Sequence, residues 1–270
     1  MLNVNDITIT SLDIITAYSL AGVPRFILDE LSDAQISNTQ EKEDITGKAG
    51  RKLNSLKRNK AVTVSGTNGL LSAGLLEAQT GSEFERKTST AVEWSESLQI
   101  SANKATTSYK AVGTTGAEIT ALYIKDASGA ASAKLEQAAT AAEGKFAYDP
   151  DTKALSFVAD AYPDGTEIIV FYVRKIAGDV LSNNSEKYSE KLRLIIDATA
   201  EDKCSNVYHL QIEIPKADFN GDFDIQMGDS QATHAFEAES LVNTASCGGS
   251  GRGGNLWTWT IFGANAEDAA

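Results

Sequence analysis

Along much of the chain, apolar positions recur at every second residue, the period of a β-strand rather than a helix. His209–Ile214 alternates strictly, with Leu210, Ile212 and Ile214 on one face. Leu256–Phe262 does the same, setting Trp257, Trp259 and Ile261 against Leu256, Thr258, Thr260 and Phe262. Asp222–Met227 places Phe223, Ile225 and Met227 on one side and Asp222, Asp224 and Gln226 on the other. Glu167–Arg174 is instead one continuous β-branched and aromatic run, as in a strand covered on both faces. Asp149-Pro150-Asp151 lies between Phe146–Tyr148 and Leu155–Val158 and predicts a hairpin. Pro163-Asp164-Gly165 predicts a turn before the strand at 167–174.

Helical spacing is clear once. Leu70, Leu71, Ala73, Leu75, Leu76 and Ala78 predict a short helix at about 68–80, capped by Thr67 or Asn68 and ended by Gly81. A second short helix is expected near 234–242. So little helix in 270 residues predicts a mainly-β fold, a sandwich or barrel. The segment 98–178 is richer in Ala, Thr and Ser and carries several short strands between turn signals. Its length suits an immunoglobulin-like β insertion, although the Cys–Trp–Cys hallmark of antibody domains is absent there. The simpler reading is that these strands extend the main sheet. The expected organisation is a discontinuous β core of 1–97 and 179–270, interrupted by 98–178.

Residues 38–60 read as a long, polar, poorly periodic connection, of the kind that is usually functional. Within it Lys48, Arg51, Lys52, Lys57, Arg58 and Lys60 follow one another with no acid between them. Setting those six aside takes the net charge from −13 to −19. A basic arm on an acidic protein predicts attraction to an acidic partner, and the nearest is another copy of the chain. The plain alternative is a solvated loop.

The acidic balance argues against a protein that grips nucleic acid, which needs a basic surface to displace counterions. No apolar stretch approaches the roughly 20 residues of a membrane-spanning helix, so no membrane binding is expected. The start, MLNVNDITIT, has neither the basic residues nor the apolar run of a signal peptide, and predicts a chain made in a cytoplasm. Cys204 and Cys247 are too few for a disulfide framework and lack the neighbouring ligands of a zinc site.

Motifs for catalysis are not found. There is no Gly-x-Ser-x-Gly elbow, no His-Glu-x-x-His and no Walker loop. His209 and His234 read as packed or surface histidines. Cys247–Gly254 is glycine-dense but leads into a strand, so no helix N-terminus would face a phosphate. Asp218–Asp229 has oxygen ligands at alternate positions, as calcium loops do, but Phe223 stands where the loop needs Gly. The expectation is no catalytic residue, no metal and no cofactor.

Ile36–Gly47, Gly50–Ser65 and Asn68–Leu76 resemble the tail tube proteins of tailed bacteriophages. So do Pro215–Asp229, Phe236–Ala238 and Leu256–Phe262. The resemblance implies a tail-tube-type β-sandwich or barrel, with hexameric rings whose inner sheets join into one continuous barrel. The rings stack into a tube through which DNA passes. It makes 1–97 and 179–270 the tube-forming core, with 98–178 displayed outside. The six cations would form an arm reaching the neighbouring ring, and Asp222, Asp224 and Gln226 would face the lumen. Implied partners are the chain itself, a tape-measure protein, a tail terminator, baseplate or tip proteins and, in contractile tails, a sheath. The implied location is the tail of the virion, assembled in the bacterial host cytoplasm. Other readings are a capsid or decoration protein, a carbohydrate-binding or adhesin sandwich, and a carboxylate-based hydrolase. The first lacks a long spine helix, the second would expose Trp257 and Trp259, and the third needs an aromatic-lined cleft.

Overall fold

The computed structural model describes residues 6–126, 128–225, 233–242 and 254–263. In chain order the elements are β1 (Ile7–Ser19), β2 (Pro24–Leu28), β3 (Leu31–Thr46), β4 (Lys52–Asn68), α1 (Ala73–Thr80) and β5 (Glu85–Gln99). Next come β6 (Lys104–Thr106), β7 (Ile119–Lys125), β8 (Ala131–Gln137), β9 (Lys145–Asp149), β10 (Ala154–Ser156) and β11 (Glu167–Val180). The last four are β12 (Lys191–Asp202), β13 (Val207–Phe219), β14 (His234–Ser240) and β15 (Thr258–Gly263). The fold is mainly β, with two sheets and one α-helix among the described residues, as the alternating pattern predicts. The chain divides into two compact units, 1–84 with 181–270, and 85–180.

The first unit is an antiparallel sheet in the order β2–β1–β12–β13–β14–β4–β3. β13 shares one edge between two partners: residues 208–213 pair with β15 and 217–219 with β14. Period-two alternation decides which face is dry. β12 buries Leu192, Leu194, Ile196, Ala198 and Ala200 and turns Arg193, Asp197 and Thr199 the other way. Leu192, Leu194 and Ile196 meet Ile15, Leu28, Val64, Ile214 and Phe236 in one core, while Ala198 and Ala200 pack with Leu210 in a smaller cluster. Each fully buried Leu or Ile there contributes roughly 1.5–3 kcal/mol.

α1 packs Leu75 and Ala78 into that core. It is shorter than its apolar pattern predicts. Residues 67 and 68 complete β4 instead, and the Asn68 side chain donates to the Leu70 carbonyl at 2.6 Å. The cap is therefore Ser72, whose hydroxyl accepts the Leu75 N–H at 3.3 Å, while Leu70 and Leu71 stay exposed. Gly81 ends the helix as expected, at φ +65°. A Cβ there would stand 2.0 Å from the Tyr188 carbonyl oxygen, so only glycine fits. The Ala78 carbonyl accepts the Glu190 N–H at 2.7 Å, tying the two chain segments of the unit together.

Two local expectations are overturned. Residues 234–240 form β14, not a helix, because Phe236, Ala238 and Ser240 are buried and alternate with exposed Glu237 and Glu239. Residues 38–60 are not an irregular loop: β3 and β4 pair from Leu31↔Asn68 out to Thr46↔Lys52, as one long hairpin.

The second unit runs β5–β11–β7–β8–β9–β10–β6, antiparallel except for the short parallel pair β8–β9. β5 pairs with β11 from Glu85↔Val180 to Gln99↔Glu167, which sets the limits of the unit at 85 and 180 beside the 98 and 178 read from composition. Leu122, Ile168, Val170 and Tyr172 from one part of the sheet share a core with Phe146, Leu155 and Phe157 from the other. The unit thus encloses its own hydrophobic interior. Its predicted hairpin forms with Tyr148 opposite Leu155, and Asp149 stabilises the turn by accepting from the Asp151 N–H and the Thr152 hydroxyl.

Candidate assembly surface

The β3–β4 hairpin has a packed root and a free end. At the root, Val62 and Val64 are buried and Ile36 packs against the core. Outward from there an extra residue enters β4. Thr39 pairs with Ala61 and Glu41 with Arg58, so Asn59 and Lys60 stand opposite Gln40 alone. Asn59 takes φ +51° at this bulge, and its amide donates to Glu41 at 2.6 Å. Beyond the bulge nearly every residue of both strands is exposed on both faces of the ribbon. Leu53, Leu56 and Ile45 are among the exposed large apolar residues of the chain. The ribbon closes at Gly47–Arg51, with Ala49 and Gly50 at positive φ.

Charge, not burial, organises that free end. Between Glu41 and Lys60 seven cations meet three acids. Arg58 lies 2.5 Å from Glu43 and 3.9 Å from Glu41, and Lys52 lies 2.6 Å from Asp44. These exposed pairs are each worth about 0–1 kcal/mol. Lys48, Arg51, Lys57 and Lys60 have no ion pair among the described residues, nor does Lys42. Of the six predicted arm cations, two are therefore neutralised within the hairpin and four are not. Lys42 and Lys57 are direct cross-strand partners, so both project from the same face. Like charges in that position repel.

At the opposite end of the same sheet lies a cleft of about 990 Å³. β3 begins there, β4 and β13 end there, and β14 starts there. Asp33, Asp222, Asp224 and Glu237 line it, and among the described residues no Lys or Arg does. Asp222 and Asp224 sit in an exposed loop after β13, not on a strand, because Asn220-Gly221 breaks the ladder and the Asn220 side chain accepts the Asp222 N–H at 3.2 Å. The expected strand at 222–227 is absent over its described part, which makes only a single bridge, Ile225 to His234. Gln226 lies outside the described residues.

The polar face of the sheet carries Asp197, Glu201, Glu213, Asp218, Glu237 and Glu239, with Arg193 held 2.6 Å from Glu213 and Lys191 3.5 Å from Asp218. On the same face Asp13 accepts from the Ser11 and Thr199 hydroxyls, and these bonds hold its carboxyl below the usual range.

Of the two histidines, His209 stacks near Phe262 on the polar face, with ring centres 5.7 Å apart. His234 is fully buried. Gln79 donates its amide to the Ala235 carbonyl at 3.0 Å, which leaves its oxygen facing His234 Nε2 at 2.7 Å. Nε2 is then the protonated nitrogen, and Nδ1 has no partner. Burial pushes the imidazole down from its ordinary value. Trp257 packs against the core, but Trp259, on the same face by alternation, is 45% exposed. Among the described residues no three His, Cys, Asp or Glu side chains gather as a metal site.

The YomU/Tube protein family matches residues 8–251, a span reaching from β1 through β14 and including the whole unit at 85–180. No curated protein matches the chain. A β-sheet with a long free hairpin, found within a family match over most of the sequence, leads to one assignment: the chain belongs to the YomU/Tube family, a phage tail tube family.

Proposed function

We propose that the chain is the structural, non-enzymatic subunit of a phage tail tube, whose copies form stacked hexameric rings around an acidic lumen that DNA traverses. The observation that carries this reading is the hairpin: an ordered ribbon exposed on both faces, with apolar side chains and surplus cations that find no partner in their own chain. An isolated ribbon of this kind is marginal in water, so neighbours complete it. The sheet also has open edges. β2 covers β1 only from Ile15 to Tyr18, and the outer edge of β3 is unpaired among the described strands. Joining such edges between copies removes an aggregation liability and closes a ring.

For the lumen, strand residues on the polar face are the stronger candidates: Glu239, with Glu213 and Asp218, which Arg193 and Lys191 partly neutralise. A wall on which acids outnumber bases repels the DNA backbone and lets it slide. Asp222 and Asp224 belong to the loop at the end of that face, the rim of a ring. The unit at 85–180 is read as an immunoglobulin-like domain that takes no part in ring closure, since it covers its own core. Tape-measure, terminator and tip proteins follow as partners, a sheath in contractile tails, the virion tail as location and the host cytoplasm as the place of assembly. Negative-stain electron microscopy of the purified full chain tests the reading. Rings or tubes with a central hole are expected; a monodisperse monomer at high concentration would overturn it.

A further inference from the structure

We infer that the free end of the hairpin docks, through its Lys42–Lys57 face, into the acidic cleft of a second copy lined by Asp33, Asp222, Asp224 and Glu237. The inference rests on the tail tube reading and names the receiving surface that the reading leaves open. Three observations converge on it.

The first is the unbalanced charge of the ribbon. Arg58 and Lys52 are already neutralised by Glu41, Glu43 and Asp44. Lys42 and Lys57 face each other across the strands with no acid paired to either. That arrangement destabilises the isolated chain and is relieved by an anionic partner. The second is the cleft, which has the complementary defect. Among the described residues it is lined by four carboxylates and no cation, and none of the four is in an ion pair. Glu237 and Asp33 stand on its walls, while Asp222 and Asp224 stand on the loop at its mouth.

The third observation is position. Asp33 lies at the root of β3 and Gly47 at its tip, so acid and base occupy opposite ends of one element. At roughly 3.3 Å per residue, the strand between them spans at most about 46 Å. A copy displaced along the hairpin by that distance or less presents its cleft to the tip of the first. The contact is head-to-tail, so it repeats without limit and builds a stack. The anion could in principle be a nucleic acid. The chain itself is the better fit, because it supplies the carboxylates at the required end and is strongly acidic outside the ribbon.

The test uses assembled wild-type protein and charge-swapped full chains. A carbodiimide joins only amines and carboxylates in contact. In wild-type tubes it is expected to link Lys42 or Lys57 to Asp33, Asp222, Asp224 or Glu237 of another copy. Lys42→Glu with Lys57→Glu is expected to raise the protein concentration needed for tubes about tenfold or more. Asp222→Lys with Asp224→Lys is expected to do the same, and the four changes together restore assembly, which also shows that the swapped chains fold. If wild-type chains form tubes, but the cross-links fall elsewhere and the swaps leave assembly unchanged, the cleft is not the receptor although the tube reading stands. If wild-type chains form no tubes, the tube reading itself fails. Loss of DNA binding by the Lys42→Glu, Lys57→Glu chain with assembly intact would assign this face to nucleic acid and overturn the inference.

Discussion

The two units solve the problem of a β-sheet's surface in different ways. The unit at 85–180 folds its strands over one interior, so Leu122, Ile168, Val170 and Tyr172 meet Phe146 and Leu155 within the unit. Even its polar groups close on themselves: the Tyr172 hydroxyl donates to Glu96 at 2.8 Å and the Tyr148 hydroxyl accepts the Ala111 N–H at 2.9 Å. The unit of 1–84 with 181–270 buries a core equally well under α1 but then extends β3 and β4 far past it. On the proposed reading, the cost of an unpacked ribbon is tolerated because other copies of the chain remove it. A self-contained unit needs no such extension.

The sharpest way to break this comparison is excision. Replacing residues 42–57 by an Asn-Gly turn is expected to abolish tube formation. It should leave the melting of the monomer within about 1 kcal/mol of wild type, because the removed ribbon joins no core among the described residues. Electron microscopy and denaturant titration read the two effects separately; a monomer that fails to fold would show that the ribbon is structural. The converse excision, joining Phe84 to Leu181, is expected to leave tubes intact.

Core truncations come next. Leu75→Ala removes the α1 anchor and Leu122→Ala opens the interior of the other unit, each costing about 2–5 kcal/mol. Their consequences should differ. Leu75→Ala lowers the yield of assembled protein, whereas Leu122→Ala lowers only the transition of the 85–180 unit in calorimetry. One shared transition that both substitutions shift alike would erase the distinction.

A smaller effect separates the units by pH. His234 is buried neutral in the first unit, while both histidines lie outside the second. Its folded pKa is depressed below the unfolded value of 6.5. The contribution is therefore intact above about pH 6.5 and is lost as pH falls toward the folded value, at up to about 1.4 kcal/mol per pH unit. His234→Gln is expected to flatten that dependence in urea titrations between neutral pH and about pH 5, and an unchanged slope would contradict it. The smallest expected change is in the second unit. Arg174 sits 3.5 Å from the Tyr109 ring centre and 4.9 Å from that of Trp94. Tyr109→Ala should cost about 1 kcal/mol and leave assembly alone.

Part of the first unit's core was legible from alternation. Leu210, Ile212 and Ile214 of β13 follow a period of two because one face is dry and the other wet, whereas β15 alternates in sequence although Trp259 and Phe262 are both exposed. The helix was legible from spacing and from Gly81, but its start was not. Asn68 could serve equally as a cap or as the last residue of a strand, and pairing with His234 and Leu31 decided for the strand. β14 carries the same alternation in Phe236, Ala238 and Ser240, yet Ala and Glu also favour helices, and only a sheet neighbour resolves that ambiguity. The hairpin's outer half shows no apolar period because neither face is buried, so nothing in its residues distinguishes it from a loop.

For the candidate site the division is similar. By itself the sequence determined that this is a mainly-β, acidic chain with a basic segment before its helix, since composition and local period are properties of the chain. Only the tertiary structure decided that the basic segment is a paired ribbon, that two of its six predicted cations are neutralised by its own acids, and that Asp222 and Asp224 leave the strand face to join Asp33 and Glu237 in one cleft. The reason is physical. Charges carry no periodic mark of their partners, and residues separated by most of the chain come together only through cross-strand register, which the pairing of whole sheets fixes.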